Sequence, residues 1–335
     1  MVENIYFINV GRWHEAYLKK KLEGKAHTIN FVRKKEDVEK ECTILSMFID
    51  TKIDADFLKN HPNLKMIATL STGFDHIDIK ECKKRKISVA TVPVYGEHTI
   101  AEFTFALILH MTRNLYKLRL IENMLGEETL SSVENNLMMG TDIYQKTLGI
   151  IGTGHIGQHV IKIANGFGMN VIAYDAYPNN KLKESLNFEY NTLNNLLKKS
   201  DIITIHVPLL KGTYHLINKN NINKIKKGAI IINTARGEII ETESLIKGIK
   251  SKRIAKIGLD VIEYEKLIKS DFEFGNLTAE EIKGVLLSHN LISLPNVIYT
   301  SHNGFNTKEA VERIMDTATD NILSYLNNKP KNLIK

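Results

Sequence analysis

Residues 147–175 read TLGIIGTGHIGQHVIKIANGFGMNVIAYD. Leu148 to Ile151 form an apolar run, bounded by a glycine turn and too short for a free-standing helix, so they read as a buried strand. Gly152, Gly154 and Gly157 follow at the G-x-G-x-x-G spacing. The first permits a tight turn, the second lets backbone approach a pyrophosphate, and the third lets the next helix pack close to the strand. Val160, Ile161, Ile163, Ala164 and Phe167 recur at helical spacing, and Gly166 and Gly168 break the helix. Val171 to Tyr174 make a second strand ending in Asp175, about 20 positions past the first glycine, where a carboxylate meets the ribose hydroxyls of a dinucleotide. A glycine pattern alone is a weak signal; strand, turn, helix, strand and acid in this order are the context it requires. Ala176 and Tyr177 follow Asp175, with no arginine or lysine beside it, and a carboxylate repels a 2′-phosphate. The cofactor expected is NAD rather than NADP.

At 335 residues the chain has enough material for two domains, and 43% hydrophobic with 25% charged residues is an ordinary globular balance. The start, MVENIYFINV, has no basic n-region and no long apolar stretch, and no later segment reaches transmembrane length, so a cytoplasmic protein without a membrane partner is expected. Cys42 and Cys82 lack metal-type spacing and are expected as unpaired thiols, with no metal site. The formal charge of +7 is spread over short lysine groups such as Lys19 to Lys21 and Lys83 to Lys86, without interleaved aromatics. Solvated faces explain them better than nucleic-acid binding, and the positive field helps gather a small anionic substrate.

Strand-like runs occur at 4–10, His27 to Val32, Thr43 to Ile49, Leu64 to Leu70 and Ile87 to Val92. Helical stretches separate them at Trp13 to Leu22, Lys34 to Glu41 and Ile77 to Lys84. This alternation implies a parallel sheet covered on both faces. Ligands on such sheets bind beyond the carboxyl ends of strands, which points to Phe48, to Ser71, Thr72, Gly73 and Phe74, and to Tyr95. Glu97 to Glu122 reads as one long, nearly all-apolar helix, buried between domains or in a dimer contact. A polar connector, Gly126 to Gln145, precedes the dinucleotide unit. Beyond Asp175, helices are expected at Leu193 to Lys199 and Thr242 to Lys250, and strands at Ile202 to Val207, Ile230 to Thr234, Ile257 to Val261 and Val297 to Thr300. Residues 264–294 read as an insertion carrying a helix over Ala279 to Leu287, and Thr307 to Leu326 as a closing helix.

Nicotinamide chemistry on a hydroxy or keto acid needs a cation for the carboxylate, an acid/base for the alcohol proton and a carboxylate to tune that base. Arg236 follows the strand IIINTA, Glu265 lies just past Asp260 at the end of IGLDV, and His302 follows VIYT. Singly, an arginine after a strand is commonly a surface ion-pair partner and a histidine is commonly structural. Together, on successive strand ends of a dinucleotide domain, they support one another.

These residues sit in a set of motifs that resembles the D-isomer-specific 2-hydroxyacid dehydrogenases, D-lactate dehydrogenase-like members above all. The motifs are STGFDHID at 71–78, VPVYGEHTIAEFTFALIL at 92–109, GIIGTGHIG at 149–157, HVP at 206–208, NTARG at 233–237, GLDVIEYE at 258–265 and SHNGF at 301–305. The resemblance implies an α/β fold of two doubly wound parallel-sheet domains, a Rossmann NAD-binding domain over 101–302 inserted in a flavodoxin-like substrate domain formed by 1–100 and 303–335. It implies Arg236 as the substrate-binding cation, His302 as the acid/base and Glu265 as its partner. Gly152, Gly154, His155, Ile156, Gly157, Asp175, His206, Pro208, Thr234, Ala235 and Asp260 are implied at the cofactor, Asp260 on the nicotinamide amide. Ser71, Thr72 and Gly73 are implied at the substrate carboxylate, and Phe48, Tyr95 and Phe305 around its side chain. A small 2-keto acid such as pyruvate and a homodimer are the implied partners. Members often have proline where this chain has Ser301, a change expected to loosen the turn before His302. Glyoxylate/hydroxypyruvate reductase and phosphoglycerate dehydrogenase are alternative activities, and an NAD-sensing corepressor is the alternative class.

Overall fold

The computed structural model describes residues 2–24, 27–115, 118, 139–269 and 277–334. The chain divides into two compact units, Met1–Gly96 with Asn306–Lys335, and Glu97–Phe305. Each is built on one wholly parallel sheet.

The first unit contains β1 (Asn4–Ile8), α1 (Arg12–Leu22), β2 (Thr28–Val32), β3 (Ile44–Met47), α2 (Ala55–Asn60), β4 (Met66–Thr69), α3 (Ile79–Lys84) and β5 (Ser88–Ala90). Its strand order is β2-β1-β3-β4-β5, the doubly wound order of flavodoxin-like sheets. Every residue of β3 and β4 is buried, as expected for strands covered by helices on both faces. Asp54 and Asp78 start α2 and α3 by accepting the amides of Phe57 and Glu81. The helix expected over Lys34 to Glu41 is absent: only a 3₁₀ turn at Lys35–Asp37 forms, because Val38 is the one apolar residue there and no stripe exists to bury.

The late part of the chain closes this sheet's open side. Near the end of the sequence, Leu333 forms an antiparallel bridge with Ala90, and the Ile334 amide donates to the Val89 carbonyl at 2.9 Å. Buried Asn321 donates to the Thr91 carbonyl at 2.9 Å, and its own side-chain oxygen accepts from Asn332 at 2.8 Å.

The second unit contains α4 (Glu97–Arg113), β6 (Thr147–Ile151), α5 (His155–Gly166), β7 (Asn170–Tyr174), α6 (Asn180–Leu186), β8 (Glu189–Tyr190) and α7 (Leu193–Lys199). It continues with β9 (Ile202–Ile205), β10 (Ala229–Asn233), α8 (Thr242–Lys250), β11 (Ile254–Leu259), α9 (Glu265–Lys269), α10 (Ala279–Ile292) and β12 (Val297–Tyr299). The remaining helix, α11 (Lys308–Leu326), returns to the first unit. The second sheet runs β12-β11-β10-β9-β6-β7-β8, so the order reverses at β6, between β7 and β9. That reversal is the switch point where a doubly wound sheet binds its ligand.

Successive strand residues feed opposite layers. Ile150 and Ile232 pack with Val160, Ile161 and Ala164 of α5 and with Phe105 and Ile108 of α4, while Ile151 and Ile231 join Leu245 and Ile246 of α8. Ala101, Phe105, Leu107, Ile108 and Met111 of α4 are buried in this layer of the second unit. The helix is interrupted after Arg113, where Asn114 turns left-handed (φ 54°), and Leu115 and Leu118 are helical again. The expected continuation over 116–117 and 119–122, and the connector over 126–138, lie outside the described residues. So do residues 270–276 of the expected insertion. Its helix is longer than expected, Ala279–Ile292, started by a Thr278/Glu281 capping box.

Candidate active site

The site in the second unit is assembled along one edge of its sheet. In strand order, the carboxyl ends of β12, β11, β10, β9, β6 and β7 lead into His302, Asp260, Arg236, His206, Gly152 and Asp175. Residues far apart in sequence thus share a single rim.

The glycine turn after β6 has the three steric roles its spacing implies. Gly152 has φ 99°, and a Cβ there would meet the His206 carbonyl oxygen at 2.7 Å, so it allows the turn to cross beneath the next strand end. A Cβ on Gly157 would overlap the Gly152 carbonyl, which fixes how closely α5 approaches β6. Gly154 differs from both: nothing lies within 4 Å of its missing side chain, and its backbone is extended. That open space, ahead of the first turn of α5 at His155 and Ile156, suits a phosphate group beside helix amides. His155 also lies 3.5 Å from Glu97 at the start of α4. Asp175 is held in place by the Thr153 amide and hydroxyl at 2.7 and 2.8 Å, and Thr153 in turn meets the Tyr190 hydroxyl at 3.0 Å. Thr153 was not expected from sequence, since a threonine inside a glycine turn carries no signal of its own.

His206 follows β9, close to Pro208. Burial pushes its imidazole down to about 3, so it is neutral, and its Nε2 is buried with no hydrogen-bond partner. A buried orphan nitrogen is uncommon in a native structure. Together with the unfilled space at Gly154, it fits a cofactor lying along this rim and completing the polar contacts.

Arg236 sits in a turn built for rigidity. The buried Asn233 side chain brackets it, accepting the Ala235 amide at 3.0 Å and donating to the Arg236 carbonyl at 2.8 Å. The neighbouring Thr234 hydroxyl meets that of Thr104 at 3.2 Å, and the guanidinium donates to the Ala235 carbonyl at 2.7 Å. Gly237 then passes against the 262–263 backbone so closely that any Cβ would overlap the Ile262 carbonyl and the Glu263 nitrogen. The segment carrying Glu265 is thereby registered on the segment carrying Arg236. Glu263 adds to that registration: its buried carboxylate accepts the Thr242 amide and pairs with His215 Nε2, each at 2.6 Å. Neither His215 nor Glu263 was singled out in the sequence, where they are 48 positions apart.

Glu265 opens α9, and its carboxylate oxygens lie 3.1 and 3.3 Å from His302 Nδ1, with both side chains about four-fifths buried. Nearby Tyr299 has its phenol pushed up to about 12, first by burial and then by the Glu265 charge, so it stays neutral. His302 and Ser301 are both left-handed, at φ 59° and 51°, which costs about 1–2 kcal/mol per residue. Asp260 offsets that cost. Its carboxylate accepts from the Thr300 hydroxyl at 2.6 Å, the Asn303 amide at 2.8 Å and the Gly304 amide at 3.0 Å, and its carbonyl takes the His302 amide at 2.6 Å. Ser301 therefore does not loosen the turn, as the replacement of proline had suggested. A proline is locked near φ −65° and has no place in this conformation.

In the first unit, Ser71, Thr72 and Gly73 follow β4, with Phe48 after β3 and Tyr95 after β5. The Ser71 hydroxyl donates to the Gly73 carbonyl and the Thr72 hydroxyl to the Val92 carbonyl, each at 2.6 Å. The turn offers a ligand its backbone rather than its hydroxyls. Phe48 packs against His14, ring centres 5.8 Å apart, and the Tyr95 carbonyl is held by Arg313 at 2.6 Å. Phe305 closes the second unit. Among the described residues no group of three or more His, Cys, Asp or Glu side chains is arranged to hold a metal, and no helix is long and apolar enough to cross a membrane.

Comparison with known proteins bears on this geometry. Residues 105–304 match the family model described as D-isomer specific 2-hydroxyacid dehydrogenase, NAD binding domain. The chain is 39% identical over 264 residues to an aromatic 2-oxoacid reductase of Clostridium sporogenes, covering 78% of this chain and 76% of that protein. It is 35% identical over 298 residues to a glyoxylate reductase of Thermococcus litoralis, covering 88% and 84%. Among solved structures, a D-lactate dehydrogenase from Aquifex aeolicus complexed with NAD and lactic acid superposes with a TM-score of 0.84 at 30% identity, covering 97% of this chain and 96% of that one.

Proposed function

Because the chain belongs to the D-isomer specific 2-hydroxyacid dehydrogenase family of NAD-dependent enzymes acting on CH–OH donors, we propose that it reduces a small 2-keto acid, pyruvate first, to the D-2-hydroxy acid. The observation that carries this reading is the His302–Glu265 pair at 3.1 Å, on a rim shared with Arg236. With a carboxylate on Nδ1, the proton available for exchange sits on Nε2. NAD, when bound along Gly152 to Gly157, Asp175 and His206, supplies or accepts the hydride at the substrate's second carbon. In reduction, His302 gives its Nε2 proton to the keto oxygen as that oxygen becomes an alcohol. Arg236 holds the carboxylate and the keto oxygen with its planar fork, and Glu265 keeps the imidazole oriented. In oxidation the neutral ring takes the proton back. Within the first unit, the backbone amides of the Ser71–Gly73 turn are the groups proposed to bind a carboxylate, with Phe48 and Tyr95 proposed to contact an apolar side chain.

The 39% relation to an aromatic 2-oxoacid reductase, with the Phe48 ring tilted against His14 and Trp13 edge-on to that same imidazole, favours phenylpyruvate as the second substrate to test. A homodimer and a cytoplasmic location are further expectations of this reading. Oxidation of NADH with pyruvate, phenylpyruvate, 2-ketoisocaproate, glyoxylate and hydroxypyruvate is the direct test, with the highest kcat/KM expected for pyruvate. His302→Ala is expected to lower turnover at least about 100-fold while NADH still binds. NADH binding with no turnover on any acid would favour the corepressor class instead, and unchanged turnover in His302→Ala would remove that residue from the chemistry.

A further inference from the structure

Beneath the Ser71–Gly73 turn lies a chain of buried polar groups that no step above uses. Thr69, Ser71 and His76 are all buried, at 0, 7 and 3% exposure. Thr69 Oγ1 lies 2.7 Å from Ser71 Oγ and 3.2 Å from His76 Nε2, and Ser71 Oγ lies 2.6 Å from the Gly73 carbonyl oxygen. Hydrogen counting fixes the direction of this chain. A carbonyl only accepts, so the single Ser71 hydroxyl proton goes to Gly73. The contact between Thr69 and Ser71 then needs the Thr69 proton, because Ser71 has none left to give. The Met47 carbonyl, 3.3 Å from Thr69 Oγ1, already receives the Leu70 amide at 2.8 Å and does not compete well for it. Thr69 must therefore accept at its oxygen, and His76 Nε2 must carry the donated hydrogen. The imidazole has a fixed base, since the His76 carbonyl accepts the Ile53 amide at 2.8 Å and the next residue, Ile77, bridges to Ile53.

The far end of this chain is the peptide that matters. No peptide bond among the described residues is cis, so a Gly73 carbonyl drawn inward turns the N–H of the same peptide, on Phe74, outward. We propose that His76, Thr69 and Ser71 are positioning residues, a one-way relay that holds the Phe74 amide, at the end of the Ser71–Gly73 turn, facing the substrate carboxylate. The relay rests on the reading of that turn as the carboxylate site. Because it acts on amide direction, it affects recognition of an anion more than the reaction step.

The test compares Thr69→Val, His76→Leu and His76→Gln with the unaltered enzyme, using pyruvate and its uncharged methyl ester as paired substrates. Thr69→Val and His76→Leu are expected to raise the pyruvate KM about tenfold, the scale of one hydrogen bond to a charged group, with kcat within about threefold. The preference for acid over ester falls by the same factor. His76→Gln keeps an N–H donor and restores most of that preference. Equal losses on acid and ester, or a His76→Gln enzyme as impaired as His76→Leu, would overturn the relay, because a general loss of folded structure does not distinguish the two substrates. An unaltered enzyme that does not prefer the acid would remove the carboxylate reading of the turn and the relay with it.

Discussion

Gly237 is the position where a single methyl group most directly tests how the site is held together. A Cβ there would fall well inside 3.0 Å of three backbone atoms of Ile262 and Glu263, and main chain cannot rotate away as the tip of a side chain can. Restoring ordinary contact at 3.4 Å from the nearest atom, at 2.0 Å, requires the two segments to part by about 1.4 Å, and a displacement of about 1 Å already costs on the order of 100-fold when it separates catalytic groups. Arg236 is the residue before Gly237, and Glu265 lies two positions past Glu263, so the displacement falls between the cation and the carboxylate. Gly237→Ala is accordingly expected to lower kcat/KM for the keto acid about 100-fold, or about 2.7 kcal/mol in transition-state stabilisation. The overpacking itself costs about 1–3 kcal/mol of stability, visible as a Tm lower by several degrees. NADH affinity falls much less than kcat/KM, because Gly152, Gly154 and Asp175 stand on other strands and only Thr234, Ala235 and Asp260 of the expected cofactor residues lie beside the displaced segments. Steady-state kinetics, a thermal melt and an NADH titration on one preparation separate these effects. Wild-type kcat/KM alongside the lowered Tm would refute the argument, since the segments would then have parted without disturbing the groups they carry.

Gly154→Ala provides the converse: with open space around it, Tm should stay unchanged while the NADH Kd rises at least about tenfold as the methyl meets the pyrophosphate. A Kd equal to that of the unaltered protein would place the cofactor elsewhere. Arg236→Lys replaces a planar fork by a point charge and should cost about 100-fold in kcat/KM, checked with the preferred keto acid. His206 connects the site to acid stability. Its folded value of about 3 lies below its ordinary 6.5, so the folded state binds fewer protons between them, and its contribution is whole above about 6.5 and lost as pH falls toward 3. Thermal melts at pH 7 and pH 5 should show a smaller drop for His206→Gln than for the unaltered protein.

The stretch 147–175 was readable because its residues are constrained by sterics: glycines stand where a methyl group would strike backbone, and apolar residues stand where both faces of a strand are covered. Arg236, Glu265 and His302 were readable for a topological reason, since strand ends of a parallel sheet share an edge wherever they lie in sequence. Elements without an apolar stripe were not. Neither α2 nor α6 was expected, for α2 buries only Phe57 and Leu58 and α6 buries nothing. The break in α4 at Asn114 carries no such signal, because an asparagine in the left-handed region interrupts a helix without glycine or proline to announce it. The His76–Thr69–Ser71 chain, the Glu263–His215 pair and the Asp260 staple depend on which way side chains face after folding. Periodicity and motif spacing do not contain that information.

The antiparallel contact between Leu333 and Ala90 has a consequence for how the molecule is made. The first 96 residues leave the ribosome early but lack both α11 and the segment that covers β5, which emerge only after the whole second unit. At about 5–20 residues per second the nascent sheet waits many seconds with an unpaired rim, a template for pairing with another nascent chain. The interrupted unit is thus the one whose maturation depends on synthesis reaching residues 306–334, and removing Leu333 and Ile334 should appear first as clumped polypeptide in the cell and only secondarily as altered kinetics.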